Sequence, residues 1–181
     1  MEEIIVRAMR PEDLHVHMMD DFERHQEITH ILRKNGRVKK LRKPRVEDWP
    51  AEGKTKFIQG WFIQKVYLRQ YYLGEPQVFA AFRGDQVVGF AIWGRDKIWA
   101  EEQGYAVLLR LFVSAECRRM GLGRQLFNLC AEAARAEGAR KLFISAEPAV
   151  ETQEFYRSMG CVIAKKRLFG PKEDIPLDFT L

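Results

Sequence analysis

Leu111-Phe112-Val113-Ser114-Ala115-Glu116-Cys117-Arg118-Arg119-Met120-Gly121-Leu122-Gly123-Arg124 leads from an apolar run, through two glycines two residues apart, into an amphipathic segment. The residues before it, 106–113, are apolar except for Arg110, which predicts a strand buried on both faces. After it, Leu122, Leu126, Leu129, Ala133 and Ala136 recur at steps of four and three, with Arg124, Asn128, Glu132 and Arg135 on the rest of the wheel. That periodicity predicts an amphipathic helix, stopped by Gly138. Glycines at a helix start let backbone N–H groups converge on an anion without obstruction by Cβ. The helix terminus adds roughly half a positive charge, and Arg118, Arg119 and Arg124 add more. The same spacing also describes a tight turn with exposed arginines. No Gly-Lys-Ser/Thr follows, which excludes a nucleoside-triphosphate loop, and the missing third glycine argues against a dinucleotide fingerprint.

Outward from this turn, residues 77–82 and 86–93 read as strands joined at Arg83-Gly84-Asp85, a β-hairpin with Gly84 supplying positive φ. Residues 141–146 read as a strand, 151–159 as a short helix ending at Gly160, and 162–169 and 177–181 as closing strands. Toward the N-terminus, 3–9 is a short strand, and Pro11-Glu12-Asp13 starts a helix through Leu14, Met18 and Phe22. Asn35-Gly36 offers one stop for that helix, while 28–32 fits a second piece. Residues 55–73, rich in aromatics, read as a helix with a broad apolar face. The pattern is mixed α/β on one sheet, without internal repeats.

At 181 residues and 46% hydrophobic content, the chain is expected to form one domain spanning 1–181. With 30% charged residues and a mean hydropathy of −0.33, no apolar run approaches the roughly 18 to 20 residues of a membrane span. MEEIIVRAMR puts two acids before its first apolar run and does not fit a signal peptide. Three cysteines, Cys117, Cys130 and Cys161, at unrelated spacings fit a reduced, cytoplasmic protein. The net charge of +5 is uneven. Arg33, Lys34, Arg37, Lys39, Lys40, Arg42, Lys43 and Arg45 are eight cations without an acid among them, so the remainder carries +5 − 8 = −3. This segment, 33–45, reads as a basic loop.

Two motifs together carry a resemblance. Arg118-Arg119-Met120-Gly121-Leu122-Gly123 is similar to the Arg/Gln-x-x-Gly-x-Gly/Ala hallmark of the GNAT superfamily of acyl-CoA-dependent N-acetyltransferases. About 35 residues on, Phe155-Tyr156-Arg157-Ser158-Met159-Gly160-Cys161 resembles the family's Phe-Tyr-x-x-x-Gly-Phe, with Cys161 replacing the aromatic. The resemblance is specific over 106–181 and generic before that. It implies a GNAT-like α/β domain with a central mixed, mostly antiparallel sheet, splayed middle strands and helices on both faces. It also implies acetyl-CoA as co-substrate and no metal. The backbone of Leu111, Phe112 and Val113 would pair with the pantetheine arm, and Arg118, Arg119, Met120, Gly121, Leu122, Gly123 and Arg124 would wrap the pyrophosphate. Tyr156 falls where the family places its general acid, and Val113 N–H where it places the oxyanion donor.

Acetyl transfer needs a neutral amine, a stabilised oxyanion and a proton for the leaving thiolate. A phenol of pKa about 10 suits the last role. Freeing the lone pair of an alkylamine of pKa about 10.4 at pH 7 costs about 4.6 kcal/mol. Leu109 stands at the family's usual glutamate position, so no base carries over. Glu101, Glu102 and Glu147 are candidates acting through water, beside a relay of ordered water alone. Trp49, Trp61, Phe62, Tyr67, Tyr71 and Tyr72 include candidates for the acceptor wall, one or two of them reaching the pocket. His15 and His17 lack partners at metal-ligand spacing. Cys117 lies in an electropositive turn that favours a lowered thiol pKa, but the family needs no nucleophilic cysteine. The expected acceptor is a primary amine on a small molecule; a protein N-terminus or lysine is the alternative. A nucleic-acid-binding module built on the basic segment is disfavoured because no aromatics interleave its cations. No membrane partner is expected, and the protein is expected to be a monomer or homodimer.

Overall fold

The computed structural model describes residues 2–67, 76–95 and 104–181. Its main sheet has seven strands: β1 (Ile4–Ala8), β4 (Gln77–Arg83), β5 (Gln86–Gly94), β6 (Tyr105–Val113), β7 (Lys141–Ala146), β8 (Val162–Ile163) and β9 (Ile175–Thr180). Their spatial order is β1-β4-β5-β6-β7-β9-β8, and β6–β7 is the one parallel pair among antiparallel neighbours. A separate antiparallel ribbon is formed by β2 (Gln26–Leu32) and β3 (Val38–Glu47). The helices are α1 (Ala51–Phe57), which continues as a π-helical stretch (Ile58–Tyr67), α2 (Leu122–Ala136) and α3 (Val150–Ser158).

Alternation along the central strands builds a layer on each side of the sheet. Ala91, Trp93, Ala106 and Leu108 meet Leu126, Phe127, Cys130 and Ala134 of α2 on one face. Phe90, Ile92, Val107 and Leu109 meet Ile58, Phe62, Met18, Met19 and Phe22 on the other. The register of β5 on β6 shifts between Ile92↔Arg110 and Trp93↔Leu108, leaving Leu109 as an extra, bulged residue. A bulge bends its strand and, by adding one residue, reverses which side chains face which layer. Beyond it Leu111 and Val113 join the α2 side and Phe112 the opposite one. Pairing of β6 with β7 ends at Leu108↔Ile144, immediately before the bulge, so the two strands separate there.

Four expectations are corrected. Residues 11–22 form only a short 3-10 turn, Pro11–Asp13, and then irregular chain. Met18, Met19 and Phe22 are buried as their spacing predicts. However, the backbone is committed elsewhere: Val87 N–H donates to the Met18 carbonyl at 2.7 Å, and Met18, Asp20 and Phe22 N–H donate to the carbonyls three residues before them in separate turns. The basic segment 33–45 is a hairpin rather than a loop. Asn35-Gly36 is its turn, with Gly36 at φ 77° and Arg37 N–H donating to Asn35 Oδ1 at 3.1 Å. Its cations conceal a strand because both faces of β3 are largely exposed, so no apolar alternation is required. β6 is buried on both faces only through Leu109, and its last residues are half-buried. The strand expected at 162–169 is confined to Val162–Ile163.

Candidate functional site

Where β6 and β7 part, the sheet presents an open backbone edge. Ser114 N–H donates to Val88 O of β5 at 2.9 Å, and successive N–H groups of a strand point to opposite edges. The Val113 N–H therefore points to the unpaired edge, as does that of Leu111. A channel of about 1040 Å³ runs along this edge to the start of α2. Leu111, Phe112, Val113, Arg118, Arg119, Gly121, Leu122, Gly123 and Arg124 line it; Met120 points to solvent at 54% exposure and does not.

Backbone geometry makes the turn receptive to an anion. Arg119 (φ 63°) and Gly121 (φ 83°) are left-handed, and Gly121 caps α2 without a side-chain hydrogen bond. The first-turn N–H groups of Leu122, Gly123 and Arg124 consequently have no intrahelical acceptor. Gly123 permits close packing: a Cβ there would lie 3.3 Å from Phe155 Cε2. The Arg118 side chain is spent on structure, its guanidinium donating to Val113 O (3.2 Å), His25 O (2.8 Å) and Arg24 O (3.1 Å). It ties the chain before β2 to the end of β6.

A second cavity of about 590 Å³ adjoins the channel, and Arg24, Gln26, Leu111, Phe112, Thr152 and Tyr156 line both. Its walls are aromatic (Trp49, Phe57, Trp61) and acidic (Glu47, Glu147, Asp174). Trp49 and Trp61 thus reach the pocket; Phe62 is core at 1% exposure. Tyr71, Tyr72 and the side chain of Tyr67 lie outside the described residues, as do Glu101 and Glu102. Tyr156 lines both cavities, and burial, above all, with Cys161 and Cys130 near it, pushes its phenol pKa well above the ordinary value.

Most of the cavity's charges are compensated. Arg24 donates to Glu47 Oε2 at 2.5 Å and lies over the Trp49 and Phe112 rings, 5.1 and 4.8 Å from their centroids. Burial lowers the Arg24 pKa while Glu47 works against that shift. Arg45 donates to Glu147. Asp174 accepts from Ser145 Oγ at 2.8 Å and pairs with no cation among the described residues. The Leu109 bulge brings Arg110 to the same side, its guanidinium 4.3 Å from the Trp61 centroid.

The other candidates resolve as structure. Cys117 is fully buried, and burial followed by the Glu116 carboxylate raises its thiol pKa, opposite to the expected effect of an electropositive turn. His17 Nδ1 lies 2.9 Å from Asp20 Oδ2 at the exposed surface. Among the described residues no cluster of metal-binding side chains occurs, and no described helix is long and apolar enough to cross a membrane.

The sequence profile of the acetyltransferase (GNAT) family matches residues 39–161, more than half of the chain. The chain belongs to the GNAT family. No curated protein matches it significantly in sequence. Solved GNAT-fold structures align with nearly its whole length. Nourseothricin acetyltransferase has 16% identity, covers 98% of each chain and gives a TM-score of 0.66. A putative streptothricin acetyltransferase from Bacillus anthracis, in complex with acetyl coenzyme A, has 18% identity, covers 99% of this chain and 97% of its own, and gives 0.61. The PaiA N-acetyltransferase of Thermoplasma acidophilum, in complex with coenzyme A, has 15% identity, covers 99% of both chains and gives 0.62. At these identities the likeness concerns the fold: a GNAT sheet whose middle strands separate, with helices on both faces.

Within this GNAT acetyltransferase, sequence reading missed Arg24, Gln26, Glu47, Arg110, Ser145, Thr152 and Asp174 as cavity residues. Arg110 alone carried a local signal, as the charge interrupting an apolar strand. The rest come from separate elements and share no spacing.

Proposed function

We propose that the protein transfers an acetyl group from acetyl-CoA to a primary amine, both substrates being bound at once. One observation carries the reading: the open edge of β6 is the common wall of two cavities, one ending at the uncapped start of α2 and the other aromatic and acidic. The first suits a pantetheine arm and pyrophosphate, through the edge of Leu111–Val113 and the N–H groups of Leu122, Gly123 and Arg124. The second suits the amine, through the Asp174 carboxylate, which has no cationic partner among the described residues, beside walls of Trp49, Phe57 and Trp61.

Acetyl-CoA supplies the activated thioester. The chain's residues handle charge and protons around it. Asp174, steadied by Ser145, accepts a proton from the ammonium and passes it to water. The Val113 N–H donates to the carbonyl oxygen as charge develops there, a contact worth about 3 kcal/mol in comparable sites. The Tyr156 hydroxyl donates its proton to the leaving sulfur as the C–S bond breaks; nitrogen loses two protons in all, the first through Asp174 to water before attack and the second from the tetrahedral intermediate, which by way of water restores the Tyr156 hydroxyl.

The test is direct. Acetyl-CoA at about 100 times its dissociation constant stabilises the fold by about 2.7 kcal/mol, read as a rise in melting temperature. A thiol-release assay over a panel of amines then identifies acceptors. No thermal shift at millimolar acetyl-CoA overturns the proposal.

A further inference from the structure

The eight cations of Arg33–Arg45 lie on the β2–β3 ribbon, which stands at the rim of the acidic cavity. Leu32 N–H donates to Pro148 O at 2.7 Å and Ile31 bridges Ala149, so β2 is fastened to the chain leaving β7. Glu47 on β3 and Glu147 after β7 both line the cavity, and Arg45 contacts both carboxylates. All eight cations are exposed. Arg45 is spoken for; among the described residues none of the other seven pairs with a carboxylate. None of the eight lines the channel assigned to the cofactor. The charge of those other seven is therefore directed neither at the cofactor channel nor at a carboxylate of the described residues.

The ribbon's register concentrates part of this charge. Ile28 pairs with Arg45 and His30 with Lys40, so 41–44 stand opposite Thr29 alone and bulge from the ribbon. Arg42 and Lys43 sit on that bulge, three and two residues from Arg45, no more than about 10 Å along the chain. The ribbon that contributes Gln26 and Glu47 to the cavity wall therefore also carries uncompensated positive charge, beside an interior whose Asp174 carboxylate has no cationic partner among the described residues. That charge repels a simple polyamine and offers a neutral amine nothing.

We infer that the acceptor is a primary amine carried on an anionic molecule, whose phosphate or carboxylate groups meet Lys40, Arg42 and Lys43 while the amine enters between Trp49, Trp61 and Asp174. The inference rests on the acetyltransfer reading above and adds the substrate class.

Matched amines test it in the thiol-release assay at saturating acetyl-CoA: ethanolamine against O-phosphoethanolamine, glucosamine against glucosamine 6-phosphate, and putrescine against 4-aminobutyrate. The anionic member is expected to show at least a tenfold higher kcat/KM in at least one pair, shrinking at 300 mM salt and in K40Q/R42Q/K43Q. Preference within the phosphate or the carboxylate pairs identifies which anion is read. Binding gives a readout independent of turnover. Inorganic tripolyphosphate titrated into the coenzyme A-saturated protein should bind, and at least tenfold more weakly in the triple variant. A thermal shift with acetyl-CoA checks that the variant is folded. Equal kcat/KM across all pairs, preference for putrescine, or tripolyphosphate binding that the triple variant leaves unchanged overturns the inference. An intact acetyl-CoA shift with no anion preference defeats this inference alone; absence of the shift defeats the acetyltransfer reading beneath it.

Discussion

At Tyr156 burial acts on both the hydroxyl's charge state and its position. The residue lines both cavities, and its raised pKa keeps the proton on oxygen across the neutral and mildly alkaline range. Y156F should lower kcat about 100-fold and leave the acetyl-CoA dissociation constant within about twofold, as measured by thiol release and ligand titration. The sign of the shift also sets a pH profile. A group with a raised pKa loses its proton later, so kcat should rise with pH as the amine deprotonates and then level off, without falling below about pH 10. A descending limb centred near pH 8 would point to another acid. The motif before and after this residue was legible because Phe-Tyr and Gly lie in one short stretch. Arg118 shows the limit of such reading: its position in the turn was legible, but its bonds to the carbonyls of Val113, Arg24 and His25 were not.

Among the elements, α2 has the predicted form because its stripe and both of its ends are local signals: Gly121 before Leu122 and Gly138 beyond Ala136. Gly121 is needed for its backbone alone, since a Cβ there would meet nothing within 4 Å at φ 83°. G121A should therefore cost about 1–2 kcal/mol of stability and weaken acetyl-CoA binding several-fold, whereas G121N, better tolerated in the left-handed region, should recover most of the loss. Chemical denaturation and thermal shift measure both; unchanged stability in G121A would contradict the strain argument. Two other elements escaped the sequence for opposite reasons. The β2–β3 ribbon lacks alternation because β3 buries little, and 11–22 has helical spacing without a continuous helix because its carbonyls close isolated turns, as those of His15, His17 and Met19 do, or, as with Met18, accept from β5.

Across the whole molecule, two side-chain layers and a bent middle strand leave all three thiols inside. Cys117 and Cys130 are fully buried; burial raises the Cys130 pKa and pushes that of Cys161 up to about 12. The native protein should accordingly show no rapidly reacting thiol toward a disulfide reagent at pH 8, and three after denaturation. One fast-reacting equivalent in the native state would contradict the packing, and its absence gives the thiol-release assay a low background. By itself, the sequence determined the family, the glycine turn and the helix behind it, because a turn and a helix start made of consecutive backbone groups are encoded by consecutive residues. The aromatic cavity was decided by tertiary structure. Arg24, Glu47, Trp61, Arg110, Glu147 and Asp174 converge only when β6 bulges at Leu109 and parts from β7, turning Arg110 to the aromatic side and opening a space that chain closure, rather than spacing, brings into being.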